Sequence, residues 1–230
     1  MVLLHHFGNM YAKNEHESLN RSFNIYELFY FTMITIIFSC TMCLIIPFVK
    51  VYTIGIVDVN YVRPLFACLI VIAEYMWAIR QPYSGITLAV GHFKETRKGA
   101  WVETLTNIVV SSVLVVKLGL VGVAIGTLVA MTIRTIEFMY HSAKYILKRK
   151  QINGFLHLGI ASIEITTIYF IVNCIIKKVV FTSYIVWMKY AIISAIISSI
   201  ITIGINCAVY RNETKGIIDI IKKNLKRKEV

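Results

Sequence analysis

The sequence predicts an all-α polytopic membrane protein with about six transmembrane helices. Three observations carry that expectation. Hydrophobic residues fill 57% of the 230 positions and charged residues 16%, with a mean hydropathy of +0.70, which is more apolar surface than a water-soluble core of this length uses. The apolar residues gather into runs separated by short charged stretches, whereas the strands of a membrane barrel alternate. Only three prolines interrupt the chain.

Taken in order, the first 27 residues read as an N-terminal, loop-like cytoplasmic segment. The first span covers 28–49, where Thr32, Ser39 and Thr41 can return their hydroxyls to the helix backbone. The second, 65–91, holds Glu74, Arg80, Gln81 and Pro82 in its interior and is either one kinked helix or two half-helices. The third, 100–117, is joined by the glycine-containing turn 118–122 to the fourth, 121–140, as a tight helical hairpin. The fifth (155–176) and sixth (183–210) are rich in isoleucine and meet at Lys177-Lys178. These six spans form one transmembrane lobe over 28–210, followed by a cytoplasmic tail over 211–230. In that tail Ile217, Ile218, Ile221 and Leu225 recur at helical spacing against Lys222, Lys223, Lys226, Arg227 and Lys228, the pattern of a basic amphipathic helix on an anionic membrane surface.

Lys and Arg near helix ends stay on the cytoplasmic side. Lys13, Arg21, the group Lys94, Arg97 and Lys98, the group Lys144, Lys148, Arg149 and Lys150, and the tail all fall on one side; Lys50, Arg63, Lys117, Lys177 and Lys178 fall on the other. Both termini are therefore expected in the cytoplasm. The net charge of +12 is explained by topology and lipid contact, with no basic and aromatic module for nucleic acid.

Catalytic and cofactor motifs are scarce. Cys40, Cys43, Cys68, Cys174 and Cys207 lie inside expected spans and act as small apolar residues, and the CxxC spacing of Cys40 and Cys43 lacks further ligands. His5 and His6 have no carboxylate at ligand spacing, and Gly91-His92-Phe93-Lys94 is too short for a phosphate loop. No cofactor or metal is expected. A membrane-embedded transferase would need a water-facing acid or base with a metal or nucleophile motif, and no DxD, HxxxD or Ser-Lys arrangement occurs.

Ionisable residues within spans cost a few kcal/mol each unless they face protein or water, so they mark function. Arg80, Tyr83, Ser84 and Thr87 form one polar stripe, read either as a cationic lining beside a joint at Pro82 or as an arginine paired with a carboxylate for packing. Glu103, Asn107 and Ser111 form a second stripe, with Glu103 near the cytoplasmic end. Glu74 lies deeper and is a counter-charge or proton-site candidate; Arg134, Glu137 and His141 share a face suited to a local ion pair. Glu164 and Lys189 either pair across the fifth and sixth spans or line a cavity.

The stretch Ile79-Arg80-Gln81-Pro82-Tyr83, continuing through Ala89-Val90-Gly91-His92-Phe93-Lys94-Glu95-Thr96 to Glu103 and Asn107, resembles bacterial O-antigen-type polysaccharide flippases of the multidrug and oligosaccharidyl-lipid exporter superfamily. The turn Gly119-Leu120-Val121-Gly122-Val123-Ala124-Ile125-Gly126-Thr127 is similar to the glycine-rich turn that in that superfamily joins an Asn-bearing helix to the last helix of a six-helix repeat, and Phe7-Gly8-Asn9-Met10 with Phe23 looks like the loop before the equivalent of the first span. The resemblance covers most of residues 1–140 and is compositional beyond.

This resemblance implies one lobe of a MATE-like exporter fold in the bacterial cytoplasmic membrane. The activity it implies is translocation of a polyprenyl-pyrophosphate-linked oligosaccharide for surface polysaccharide assembly. Arg80, Gln81, Tyr83, Ser84 and Asn107 would line the substrate cavity, Pro82 and Gly85 would supply the bend, and Glu74 or Glu103 would couple transport to an ion gradient. Family members are about twice this length, so a C-terminal fragment lacking the N-terminal lobe is expected, that lobe lying in cis or on a separate chain. A multidrug-type cation exporter, which would favour an acidic cavity, and a non-transporting assembly subunit are the alternatives.

Overall fold

A computed structural model describes residues 2–226, and every regular element within them is helical. The chain is an all-α polytopic membrane protein: six helices are long and apolar enough to cross a bilayer. In chain order they are α2 (His16–Tyr52), α3 (Pro64–Ala89), α4 (Phe93–Leu118), α5 (Leu120–His141), α6 (Ile152–Ile176) and α7 (Tyr184–Val209), with α1 (Val2–Ala12) ahead of them and α8 (Arg211–Lys226) behind.

The expected N-terminal loop is helical instead. At about 1.5 Å per residue the 37 residues of α2 extend roughly 55 Å, well beyond the ~30 Å of a hydrocarbon core. Its N-terminal turns form because Leu19 and Phe23 have an apolar partner in Phe7 of α1; all three are buried. Asn14, at φ 57°, makes the corner between the two helices, a left-handed conformation that asparagine tolerates.

The remaining differences from the expected spans are also physical. α3 is a single helix with Pro82 buried inside it. Proline deprives the Ala78 carbonyl of its helical donor, and side chains bond the backbone around the gap: Gln81 Nε2 donates to Trp77 O at 3.1 Å and Ser84 Oγ to Gln81 O at 3.2 Å. α4 starts at Phe93, seven residues before the expected position, because Lys94, Glu95, Arg97 and Lys98, the charges that end the hydropathic window, are themselves good helix formers. α8 begins directly after Tyr210, so the tail is helical from its first residues; Arg227 and Lys228 lie outside the described residues.

One residue, Gly119 at φ 58°, joins α4 to α5. A Cβ at Gly122 would collide with the Leu114 carbonyl carbon, and one at Gly126 with Ser111 Oγ. Small residues one turn apart thus let the hairpin backbones touch, which is how helices associate where lipid removes the hydrophobic drive. The main core lies elsewhere, where α1, α2, α3 and the end of α5 bring Phe7, Phe23, Phe31, Ile79, Tyr83 and Ile86 together. A second, wholly apolar cluster of Cys43, Leu44, Ile168, Val172 and Ile176 fills the far end between α2 and α6, with Trp187 of α7 against it.

Candidate functional site

Three groups of polar residues lie between the helices. The first joins α3, α4 and α5. Arg80 Nη1 bonds Glu103 Oε1 at 2.7 Å; the other Glu103 oxygen lies 3.5 Å from Arg134 Nε; and Arg134 Nη1 reaches Glu137 Oε2 at 2.6 Å. Arg134 also donates to the Thr96 carbonyl at 2.7 Å and lies over the Phe138 ring. Gly99 makes this approach possible, since a Cβ there would fall inside the Glu137 carboxylate. Charges alternate along the chain Arg80, Glu103, Arg134, Glu137, and the arginines are the more deeply buried, at 13% and 9% exposure against 23% and 31% for the carboxylates.

The sequence-predicted residues distribute around this network rather than into one stripe. Arg80 and Glu103, expected separately as cavity lining and coupling carboxylate, are each other's partner. Gln81 and Ser84 are bonded to their own helix. Asn107 accepts from Ser111 Oγ at 2.9 Å beside the α4–α5 seam. Tyr83 turns the other way, toward α2. Gly85 receives Leu4 of α1, which a Cβ would approach to 3.1 Å. Glu74 is exposed on α3. Arg134 and Glu137 form the expected ion pair, while His141 instead faces His92, with ring nitrogens 3.1 Å apart.

The second group is a knot around Glu27, which is 0% exposed on α2. Arg149 grips it in bidentate fashion, Nη2 to Oε1 at 2.6 Å and Nη1 to Oε2 at 2.8 Å. Tyr83 donates its hydroxyl to Oε1 at 2.5 Å, and His157 Nε2 lies 3.8 Å from Oε2. Arg149 also donates to Asn24 Oδ1 at 2.5 Å and covers the Phe23 ring. A local backbone device delivers this arginine: the end of α5 widens into a π-helical turn, Ser142–Ile146, and Lys148 takes φ 49°. Arg149 thereby turns inward while Lys148 and Lys150 stay exposed.

Burial works against the Arg149 charge, but the Glu27 carboxylate outweighs it and holds the guanidinium above its ordinary range. Tyr210, the single residue between α7 and α8, stacks on His157 with ring centroids 4.3 Å apart. Burial, then Glu27, Glu164 and Glu213, push its phenol up, so it is a neutral group. A cavity of about 120 Å³ opens beside the knot, lined by Asn24, Arg149, Asn153, His157 and Tyr210.

The third group lies one heptad farther along α6. Glu164 is 1% exposed, and neither carboxylate oxygen has a hydrogen-bond partner. Thr35 and Ser39 of α2, Tyr75 of α3 and Ser194 and Thr202 of α7 also bury hydroxyls without a partner. Of the two alternatives for Glu164 and Lys189, the pair across the spans is not formed: Lys189 is exposed, and Glu164 turns into the bundle.

Sequence reasoning missed Glu27 and Arg149, the first assigned to the N-terminal segment and the second to a basic loop. The available signal was Glu27 on the apolar face Phe23, Phe31 and Ile34, at spacings of four, four and seven. The line Ser194, Ser198, Thr202, Asn206 at every fourth residue was equally legible, and all four are buried. Comparison with protein-family models, curated proteins and solved structures finds no match.

Proposed function

We propose that the chain is the C-terminal six-helix lobe of a flippase that carries polyprenyl-pyrophosphate-linked oligosaccharides across the bacterial cytoplasmic membrane, with both termini cytoplasmic. The observation that carries the reading is the Arg80–Glu103–Arg134–Glu137 network, a half-buried and a buried arginine held between three spans by partly exposed carboxylates. A pyrophosphate crossing hydrocarbon needs such cations, and a guanidinium fork matches its oxygens. In the resting arrangement Glu103 occupies Arg80; a phosphate oxygen approaching from the exposed side competes for the same Nη1 donor. Ion pairing between α3 and α4 is then exchanged for pairing with cargo, which couples cargo arrival to the fit of those helices.

A second lobe completes the path. α4 buries only Thr96 and Gly99 within the chain, and Glu74 of α3 is exposed at span depth, so both present surfaces that another helical body would cover. No cofactor enters this reading, and the chain's other contacts are with membrane lipid.

The test is complementation of a surface-polysaccharide flippase deletion, scored by glycan on the cell surface, with this chain alone and joined to its upstream genomic sequence. The extended form is expected to restore glycan. In it Arg80→Ala should abolish complementation and Arg80→Lys retain part of it, since a point charge partly serves a phosphate. Equal complementation by Arg80→Ala and the parent would remove the cationic path. Failure of the extended form while it inserts in the membrane would remove the flippase reading.

A further inference from the structure

We propose that Glu164 is a proton-binding site of the bundle, holding a proton in the closed arrangement and exchanging it with water that enters from the cavity beside His157 and Tyr210. The argument begins with what surrounds the carboxyl group. An ionised carboxylate removed from water demands a cation or several donors. Glu164 is 1% exposed, neither oxygen is hydrogen-bonded, and among the described residues it has no salt-bridge partner.

Apart from Glu27, the buried polar groups of α2 and α7, the helices packed against α6, are uncharged. From α2 come Thr35 and Ser39; the charged residue of that helix nearest in sequence, Glu27, is already bound by Arg149. From α7 come Thr202 and Ser198, with Lys189 exposed nearer the other end of that helix. Tyr75 of α3 and Tyr210 are titratable groups within electrostatic reach of Glu164. On α6 itself His157 lies seven residues away, about 10 Å along the helix, and is engaged by Tyr210 and Glu27. A carboxyl group in such company is stable only with its proton on.

The same face of α6 gives the site a direction. Toward the start of the helix it carries His157 beside a cavity of about 120 Å³, with the buried, unpartnered Tyr210 hydroxyl next to it. Toward the other end it carries Ile168, Val172 and Ile176, which pack with Cys43 and Leu44 into an apolar plug. Water therefore has a cavity at one end of this face and an apolar plug at the other. When the helices part on the cavity side, the proton passes from the carboxyl oxygen to water, and the carboxylate becomes hydrated; on closure it takes a proton back from water before it is dehydrated. Proton binding stands independently of the flippase assignment, and only its use as the coupling step rests on that reading. In that role Glu164 replaces Glu74, which is exposed, and Glu103, which is paired to two arginines.

Infrared difference spectroscopy on the full chain in lipid vesicles tests this. The parent is expected to have a carboxylic-acid C=O band at mildly acidic pH that disappears at alkaline pH, and Glu164→Gln is expected to lack that band. Glu164→Asp, a second variant that keeps the acid should the amide fail to fold, should shift the band without removing it. Identical spectra for the parent and Glu164→Gln would mean the group is ionised throughout and would overturn the proposal. A Glu164 band that persists unchanged to alkaline pH and resists deuterium exchange would overturn proton exchange. Lack of glycan complementation removes the flippase reading and leaves this band in place; lack of the band removes the proton site and leaves complementation unaffected as evidence.

Discussion

Glu27 and Glu164 are the same residue type at nearly the same burial, 0% and 1% exposed, and they are solved in opposite ways. Glu27 is met by two guanidinium nitrogens, a phenol and an imidazole drawn from three other segments. Glu164 is met by nothing that bonds it. The difference teaches that burial alone does not define a carboxylate's role. A fully partnered one fixes the register of the elements that converge on it, while an unpartnered one stays in a low-dielectric site only as a neutral acid and so remains free to exchange a proton.

The comparison breaks most violently at the knot. Glu27→Ala strands the Arg149 guanidinium, and Arg149→Met strands the Glu27 carboxylate; each should cost about 3–5 kcal/mol, the penalty for an uncompensated buried charge. Thermal unfolding of detergent-solubilised protein would read this as a large fall in Tm. The double variant Glu27→Leu with Arg149→Met removes both charges and should recover much of the loss, because the desolvation of both ions disappears as well. Additive losses in the double variant would mean that the two residues contribute separately and that the knot is not a unit.

Legibility in the sequence follows the same division. The spans were readable because hydropathy reports a bulk property, so each of the six expected runs corresponds to one helix. Boundaries drifted where helices continue past the apolar window, as at the start of α4 and through α1 and the first turns of α2. The Arg134–Glu137 pair was readable because three residues along one helix are always neighbours. The Glu27–Arg149 pair was not, because 122 residues separate them and the approach depends on a π-helical turn and a left-handed lysine, neither of which has a periodic signature. Polar stripes predict which side of a helix avoids lipid without naming what lies opposite. Arg80 and Tyr83 share a stripe, yet they turn to different neighbours.

A milder change sharpens the account of the knot. Tyr83→Phe keeps the ring in its aromatic surroundings beside Phe23 and Phe31 and removes only the hydroxyl that donates to Glu27. The lost bond is to a charged acceptor, so the expected cost is about 1.5–3 kcal/mol, below the cost of losing the arginine. Chemical or thermal unfolding would rank the two. A Tyr83→Phe variant as unstable as Arg149→Met would place the energetic centre of the knot on the phenol.

The smallest effect is expected where the carboxylate is lonely. Glutamine has nearly the shape of a protonated glutamic acid and carries no charge, so Glu164→Gln exchanges one neutral buried group for another and should change stability by less than about 1 kcal/mol. At Glu27 the identical substitution deprives Arg149 of its counter-charge and should cost several-fold more. Measuring the pair side by side at mildly acidic pH removes any general effect of an amide in the bundle. If Glu164→Gln proved as damaging as Glu27→Gln, Glu164 would have to be ionised and held by a cation. The contrast between a partnered and an unpartnered carboxylate would then be lost, and with it the reason to place proton exchange on α6.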